Sequence, residues 1–491
     1  MTGDITSPER VVRADADMPP LSSGAHTEEM DRYTGTTVRE GNTVLFLPSG
    51  ASSYEQRWKL IAGARHRIDL VTFSLMRDGT TRKLCDLLLT KLKEGVAVRV
   101  IVDDAVVYST LMIGWLDELA RAGATVLRYH RVFRDLLPER GQGRPFKRAA
   151  RIVKLKIKRR FHEKYTIVDG ETAILGGITW GDKYAFGGIE PKAWRDSDVL
   201  LTGPVVRDIQ RQFERDVVLY TAMEEAHLRR KQPGFDPEAH LRSAYAAADR
   251  IGSESKETPA KTPAETPVEL PTPPATGSEL VRYIPHKPYD EQKLRMTEAV
   301  LLMIRRARRY IYWGCHGIRP PRILAEHLAA AVERGVDVRL VTNSQHASKT
   351  LMFFGLLGWM YWESSNHFPW LLEHGIRVFE WQKPGAFHSK NLVIDDVAAS
   401  VGSYNIARGS TFHHTESNVV VYGGDFPILV RKQFEIDFGD CRELKPWEGR
   451  RVPLEHQPMR RVLHERNLLI PRELRTDAIN QELDAGLYKV M

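Results

Sequence analysis

The chain has 491 residues, long enough for two or more domains with cores of their own. Its 71 Lys and Arg against 63 Asp and Glu leave a net charge of +8, which suits an anionic partner such as lipid headgroups or nucleic acid, and equally suits plain solubility. Cys85, Cys315 and Cys441 are scattered with no C-x-x-C, which argues against a disulfide framework or zinc site and fits a reducing cytoplasm.

In chain order, residues 1–40 are polar and acidic and are expected to be disordered, with no secretory signal. A strand is predicted over 43–47, a helix over 54–64, a strand over 68–73 and a helix over 81–93 that Gly95 stops. A strand over 96–102, a helix over 111–122 and a strand over 125–129 follow. The alternation predicts an α/β fold with a largely parallel sheet. Residues 144–160 are strongly basic with interleaved apolar residues. They fit either an edge strand with a charged face or a surface for phosphate headgroups.

Phe161-His-Glu-Lys-Tyr-Thr-Ile-Val-Asp169 comes next, followed by Gly176-Gly177. The pattern returns as Phe387-His-Ser-Lys-Asn-Leu-Val-Ile-Asp395, followed by Gly402-Ser403. The apolar run after each Lys predicts a short buried strand. Alternation then puts His162 with Lys164, and His388 with Lys390, on a common face. An imidazole beside an ammonium suits an anion better than a core. A strand over 199–201 and a helix over 204–220 close the first half. Residues 253–278, within a linker drawn over 231–278, are Pro- and Thr-rich and are expected to be extended.

The second half repeats the first. Residues 307–312 parallel 64–69, residues 333–341 parallel 93–101, and 415–419 parallel 195–199. The expected architecture is two similar α/β units, 41–230 and 279–440, packed with a shared site at their interface. A basic tail occupies 441–491. Residues 351–362 are apolar nearly all round, with Trp and Tyr at the end. We favour an acyl-chain entrance over a buried core helix for this stretch. No run reaches the ~18 apolar residues of a bilayer span, so the protein is expected to be soluble or to lie on a membrane surface.

Two histidines across one site supply a nucleophile and a proton donor, which a phosphodiester needs. Lys164 and Lys390 would stabilise charge on the non-bridging oxygens. Asp196 and Glu416 occupy equivalent repeat positions and are candidates to orient the imidazoles. No carboxylate cluster calls for a metal, and no cofactor is implied.

The paired H-x-K-x-x-x-x-D motifs resemble the phospholipase D superfamily, and within it the bacterial cardiolipin synthases. Supporting stretches are 176–180, 201–206 and 402–410, with Glu416. The resemblance implies phosphatidyl transfer to a phosphatidylglycerol hydroxyl. His162 would be the nucleophile and His388 the acid and base. Asp169 and Asp395 belong to the catalytic motifs, supporting their fold rather than reacting. The family's Asn three residues after the first Gly is kept as Asn405 but replaced by Thr179, whose hydroxyl could still donate one hydrogen bond to phosphate. The implied partners are phospholipid and the inner face of the cell membrane. The family's longer members begin with transmembrane helices, and none is visible here. Hydrolysis to phosphatidic acid, a nuclease of the same superfamily, and a decayed membrane-binding protein are the competing readings. The apolar 351–362 stretch argues against the nuclease, and two complete motifs argue against decay.

Overall fold

Hydrophobic alternation and helical periodicity set most of the predicted elements in place. The structure is a computed structural model that describes residues 20–104, 113–129, 159–230, 232–252, 273–289, 291, 293–349 and 358–445. The first half contributes β1 (Val38–Leu47), β2 (Arg67–Thr72), β3 (Ala97–Asp103), β4 (Thr125–Tyr129), β5 (Tyr165–Val168), β6 (Thr172–Gly176) and β7 (Asp198–Thr202). The second contributes β8 (Glu279–His286), β9 (Tyr310–Gly314), β10 (Asp337–Asn343), β11 (Arg377–Trp381), β12 (Leu392–Ile394), β13 (Ala398–Gly402), β14 (Glu416–Tyr422) and β15 (Cys441–Glu443).

Among the described residues these form one sheet in the order β15-β11-β10-β9-β12-β13-β14-β8-β1-β7-β6-β5-β2-β3-β4. The order is symmetric about the β8–β1 junction except for β15, which adds an outer strand to the second half alone. Each half runs outward through corresponding strands, and an antiparallel β1–β8 pair joins them. An antiparallel junction is what a two-fold relation between halves requires.

The sheet corrects the expectation of largely parallel pairing. Only β2–β3–β4 and β9–β10–β11 run parallel, with helices in the crossovers. Between them each motif folds as an antiparallel hairpin, β5–β6 and β12–β13, which the turn residues after Asp169 and Asp395 make short.

The two sheet faces bury different cores. Tyr165 and Ile167 of β5 join Val419 and Val421 of β14 in one cluster shared by both halves. Helices Val205–Arg229 and Phe426–Gly439 cover that face through Phe213 and Phe434. On the other face, Val168 belongs to a first-half cluster and Val420 to a second-half one.

Two segments expected to lack structure are helical. Gly24–Thr34 lies inside the N-terminal stretch read as disordered. Ser23 caps it, Gly35 ends it at φ 60°, and Met30 is fully buried in the second-half core. One buried Met is worth about 2 kcal/mol, enough to hold a short capped helix that its polar composition disguised. Pro237–Gly252, within the drawn linker, packs on helix Val205–Arg229 through Leu241, Ala244, Tyr245 and Ala248, which recur at helical spacing. Residues 253–272 of the linker and 446–491 of the tail lie outside the described residues, as does the basic stretch except Arg159 and Arg160. No described helix is long and apolar enough to cross a membrane.

Candidate active site

His162 and Lys164 precede β5, and His388 and Lys390 precede β12, so the pairs sit on extended lead-in segments and not on the strands themselves. Each lead-in is clamped from the end of a parallel strand. Asp103, last in β3, accepts the Phe161 N–H at 2.9 Å. Asn343, last in β10, accepts the Phe387 N–H and donates to the Phe387 carbonyl, both at 2.7 Å. Asp103 and Asn343 occupy equivalent repeat positions, a signal that sequence reading passed over.

Each lead-in then pairs with the other half. The His162 N–H donates to the Thr415 carbonyl at 3.1 Å, and the Thr415 N–H to the Arg160 carbonyl at 2.9 Å. The His388 N–H donates to the Arg195 carbonyl at 2.7 Å, and the Arg195 N–H to the Ala386 carbonyl at 2.8 Å. These bridges set the carboxylates crosswise. His162 Nδ1 lies 2.8 Å from Glu416 Oε2, and His388 Nδ1 lies 2.5 Å from Asp196 Oδ2. Each half therefore orients the other half's histidine. Ser410 donates to the remaining Glu416 oxygen.

The glycines make the approach possible. A Cβ on Gly177 would collide with the Asp196 carboxylate, and one on Gly402 with the β14 backbone at Ser417. Lys164 and Lys390 donate back to the carbonyls of His162 and His388, and Lys390 Nζ is also 2.8 Å from His388 Nδ1.

Burial dominates the electrostatics. His162, Lys164, Asp196, Lys390 and Glu416 are all buried. Burial first, then the two lysines, hold both His162 and His388 well below the ordinary imidazole value, so both are neutral and nucleophilic at pH 7. Burial lowers Lys164 to about 7, against the pull of Glu416. Burial raises Asp196 to about 6, opposed by Lys390, and raises Glu416. That both lysines act on both histidines makes this one site with four charged or titratable motif groups.

Asp169 and Asp395 are placed elsewhere. They sit past the far ends of β5 and β12, about 16 Å along the chain from the lysines. Both adopt left-handed backbone, φ 55° and 59°. The Asp169 carboxylate accepts the backbone N–H groups of Arg65, His66 and Arg67 at 2.8–3.0 Å, and Asp395 those of Arg308, Arg309 and Tyr310 at 2.7–2.8 Å. They hold the turns into β2 and β9 and stand outside the reacting centre. For Asp169, burial resists ionisation, but the three donors win and its carboxyl falls below the usual value.

Thr179 departs from expectation. Its hydroxyl donates to the Ser74 carbonyl at 2.5 Å and meets Thr72 Oγ1 at 3.0 Å, so its one proton is committed inside the first half. Asn405 Oδ1 accepts from Cys315 Sγ at 3.4 Å. Of the apolar 351–362 stretch, residues 351–357 lie outside the described residues. Gly358–Ser365 is helical, with Tyr361 turned inward to Glu380 at 3.1 Å. Of the basic stretch, Arg160 pairs with Asp103 at 3.2 Å. His162, His414 and Glu416 place ligand atoms within 4.8 Å of one another, but both Glu416 oxygens already serve His162 and Ser410.

A duplicated α/β fold that crosses two His-Lys motifs onto two carboxylates at one interface defines a phospholipase D-type enzyme. The family model described as "Cardiolipin synthase, PLD-like domain" matches residues 58–217 and 300–438, so the chain belongs to that family. The chain is 25% identical over 414 residues to cardiolipin synthase 2 of Bacillus anthracis, covering 84% of this chain and 68% of that protein. It is 27% identical over 423 residues to cardiolipin synthase A of Pseudomonas aeruginosa (strain LESB58), covering 86% and 72%. The phosphatidylserine synthase of Haemophilus influenzae Rd KW20 shares the fold, with a TM-score of 0.61 at 13% identity over 95% of this chain and 100% of that one.

Proposed function

We propose that the chain moves a phosphatidyl group from one phospholipid to a phosphatidylglycerol hydroxyl, forming cardiolipin through a phosphohistidine. The crossed His–carboxylate pairing carries this reading, because it gives one phosphodiester two oriented imidazoles and two ammonium groups. With Nδ1 tied to Glu416, His162 attacks phosphorus through Nε2. The P–O bond to the departing alcohol breaks, and His388 gives that oxygen its proton. His388 then takes the proton of the incoming hydroxyl. That oxygen bonds phosphorus, the P–N bond breaks, and His162 is restored. Assigning His162 as nucleophile follows the family resemblance.

To give a proton, His388 must hold one. Burial first, and then the charges of Lys390 and Lys164, depress the imidazole, and a phosphodiester anion between the lysines would offset the part that is charge.

Membrane approach has support beside the site. Tyr184 and Trp194 pack against His388 at ring distances of 5.5 and 5.2 Å. The loop between them exposes Phe186 and Ile189, the latter 69% exposed, with Lys192 alongside. Exposed apolar tips, with Glu190 and Lys192 beside them, suit a phospholipid surface.

The test is incubation of purified protein with phosphatidylglycerol vesicles, products being separated by mass. Cardiolipin with released glycerol, lost in His162→Ala and His388→Ala, is the expected result. Phosphatidic acid alone would replace transfer by hydrolysis.

A further inference from the structure

Arg195 stands between helix Phe426–Gly439 and the second motif. Its guanidinium meets the buried Asp437 carboxylate as a two-pronged pair, Nε on Oδ1 and Nη2 on Oδ2, both at 2.8 Å. Nη1 donates to the Pro48 carbonyl just past β1 at 2.9 Å and to the Asp196 carbonyl at 3.1 Å. The backbone of Arg195 faces the motif. Besides the His388 N–H, its carbonyl accepts the Ser389 N–H at 3.2 Å. The next residue is Asp196, the carboxylate on His388 Nδ1. A Cβ on Gly385 would lie 1.9 Å from the Ala193 carbonyl oxygen, so the two segments also touch ahead of the bridge.

The repeat sets this pair against a different arrangement in the other half. Gln433-x-x-x-Asp437 has its counterpart in Gln212-x-x-x-Asp216, and the Gln side chain donates to the Asp at 3.1 and 3.0 Å. Asp437 faces Arg195, and Asp216 faces Lys287 at 2.7 Å, so each aspartate takes a cation from the opposite half. The two cations hold different things. Lys287 also binds Glu163, a side chain of the first motif. Arg195 lies on the segment leading into β7, directly beside the carboxylate that serves His388. The residue in its place beside Glu416 is Thr415, which carries no charge. The residue before the carboxylate is therefore tied by an ion pair at His388 and not at His162.

His388 is the histidine whose charge changes in the proposed reaction. It gives a proton to the departing alcohol and takes one from the acceptor. An imidazolium needs its Nδ1–H held on a carboxylate that does not shift. A guanidinium–carboxylate fork is planar and charge-assisted, and it resists sliding better than a single hydrogen bond. A displacement of about 1 Å at a reacting group can cost about a hundredfold in rate.

We propose that Arg195 and Asp437 are positioning residues for proton transfer by His388. From the helix that covers the sheet they fix both Asp196 and the backbone of the second motif. This role rests on the reading of His388 as acid and base, and adds to it the support that keeps the imidazole aligned.

The experiment follows the first turnover of the full chain on two lipids dispersed in the same non-ionic detergent. One is phosphatidylglycerol, and the other is the p-nitrophenyl ester of the same phosphatidic acid. With each, a bond forms from His162 Nε2 to phosphorus and the P–O bond to the leaving group breaks. The glycerol oxygen must receive a proton from His388, whereas nitrophenolate departs as a stable anion without one. Arg195→Gln and Asp437→Asn are expected to slow glycerol release at least about tenfold more than nitrophenolate release. His388→Asn should show the same selectivity in greater degree. Arg195→Lys keeps a cation opposite Asp437 but loses the fork, so it should show a smaller selectivity of the same sign, and it carries the test if the other variants fail to fold. Equal slowing of both releases, slowing of neither, or greater slowing of nitrophenolate would overturn the positioning role. Equal slowing by His388→Asn, or a wild type that releases nitrophenolate but no glycerol, would overturn the reading on which that role rests, and both are seen without any Arg195 or Asp437 variant.

Discussion

Asp196 is a buried carboxylate kept ionised beside a neutral imidazole, and the fold bears a cost for it. Its carboxyl rises from 3.8 to about 6, mainly through burial. The folded chain binds that proton more tightly than the unfolded chain does. Its stabilising contribution is therefore full below about pH 4 and lost as pH rises through about 6. Asp196→Asn removes the buried charge. At pH 7.5 we expect it to raise the unfolding free energy by an amount on the order of 2 kcal/mol, seen as a higher Tm, while turnover falls at least a hundredfold. Thermal scans at pH 5 and 7.5 check the sign, since the gain should shrink at pH 5. Gly177→Ala acts on the same carboxylate by contact. Its methyl group must push Asp196 away from His388, and we expect kcat to drop at least tenfold with a small change in Tm.

At the scale of elements, the motif divides into an end that meets the other half's carboxylate and an end that closes a turn. His162 and Lys164 enter β5, and Asp169 leaves it to close a turn with three backbone donors. Asp395→Ala should cost roughly 3 kcal/mol in denaturant unfolding, through loss of the equivalent three bonds, while kcat per folded molecule holds. The loop between Tyr184 and Trp194 has a different task. Phe186→Ser with Ile189→Ser should cut co-sedimentation with anionic vesicles several-fold and leave turnover of a dispersed short-chain lipid intact. The helices most easily read from sequence were those with long apolar faces, such as Gly79–Lys93. Gly24–Thr34 escaped because its stability comes from one buried Met, a Ser cap and a distant core, and its own composition is polar.

For the molecule as a whole, duplication was legible and its geometry was not. Matching segments at 64–69 and 307–312, and at 93–101 and 333–341, revealed two halves. Alternating helices and strands then implied parallel pairing. The motif hairpins and the β1–β8 junction instead make most of the sheet antiparallel, because short turns after Asp169 and Asp395 leave no room for a crossover. The same repeat comparison named Asp196 and Glu416 but could not say which histidine each serves. The answer is set by backbone bridges Phe161–Thr415 and Arg195–Phe387, contacts between residues more than a hundred and ninety positions apart. The partners of Thr179, Thr72 and Ser74, were out of sight for a related reason, since they are its neighbours only in the fold.

The crossed pairing makes a demand on kinetics that one measurement meets. Turnover of phosphatidylglycerol vesicles is compared among wild type, His162→Asn, His388→Asn, Asp196→Asn and the double variant Asp196→Asn with His388→Asn. A single site predicts that either histidine variant alone removes at least 99.9% of activity, roughly 4 kcal/mol of barrier. It also predicts that Asp196→Asn adds nothing once His388 is replaced. Retention of about half the wild-type rate in each single histidine variant would mean two independent sites. That result would contradict the account.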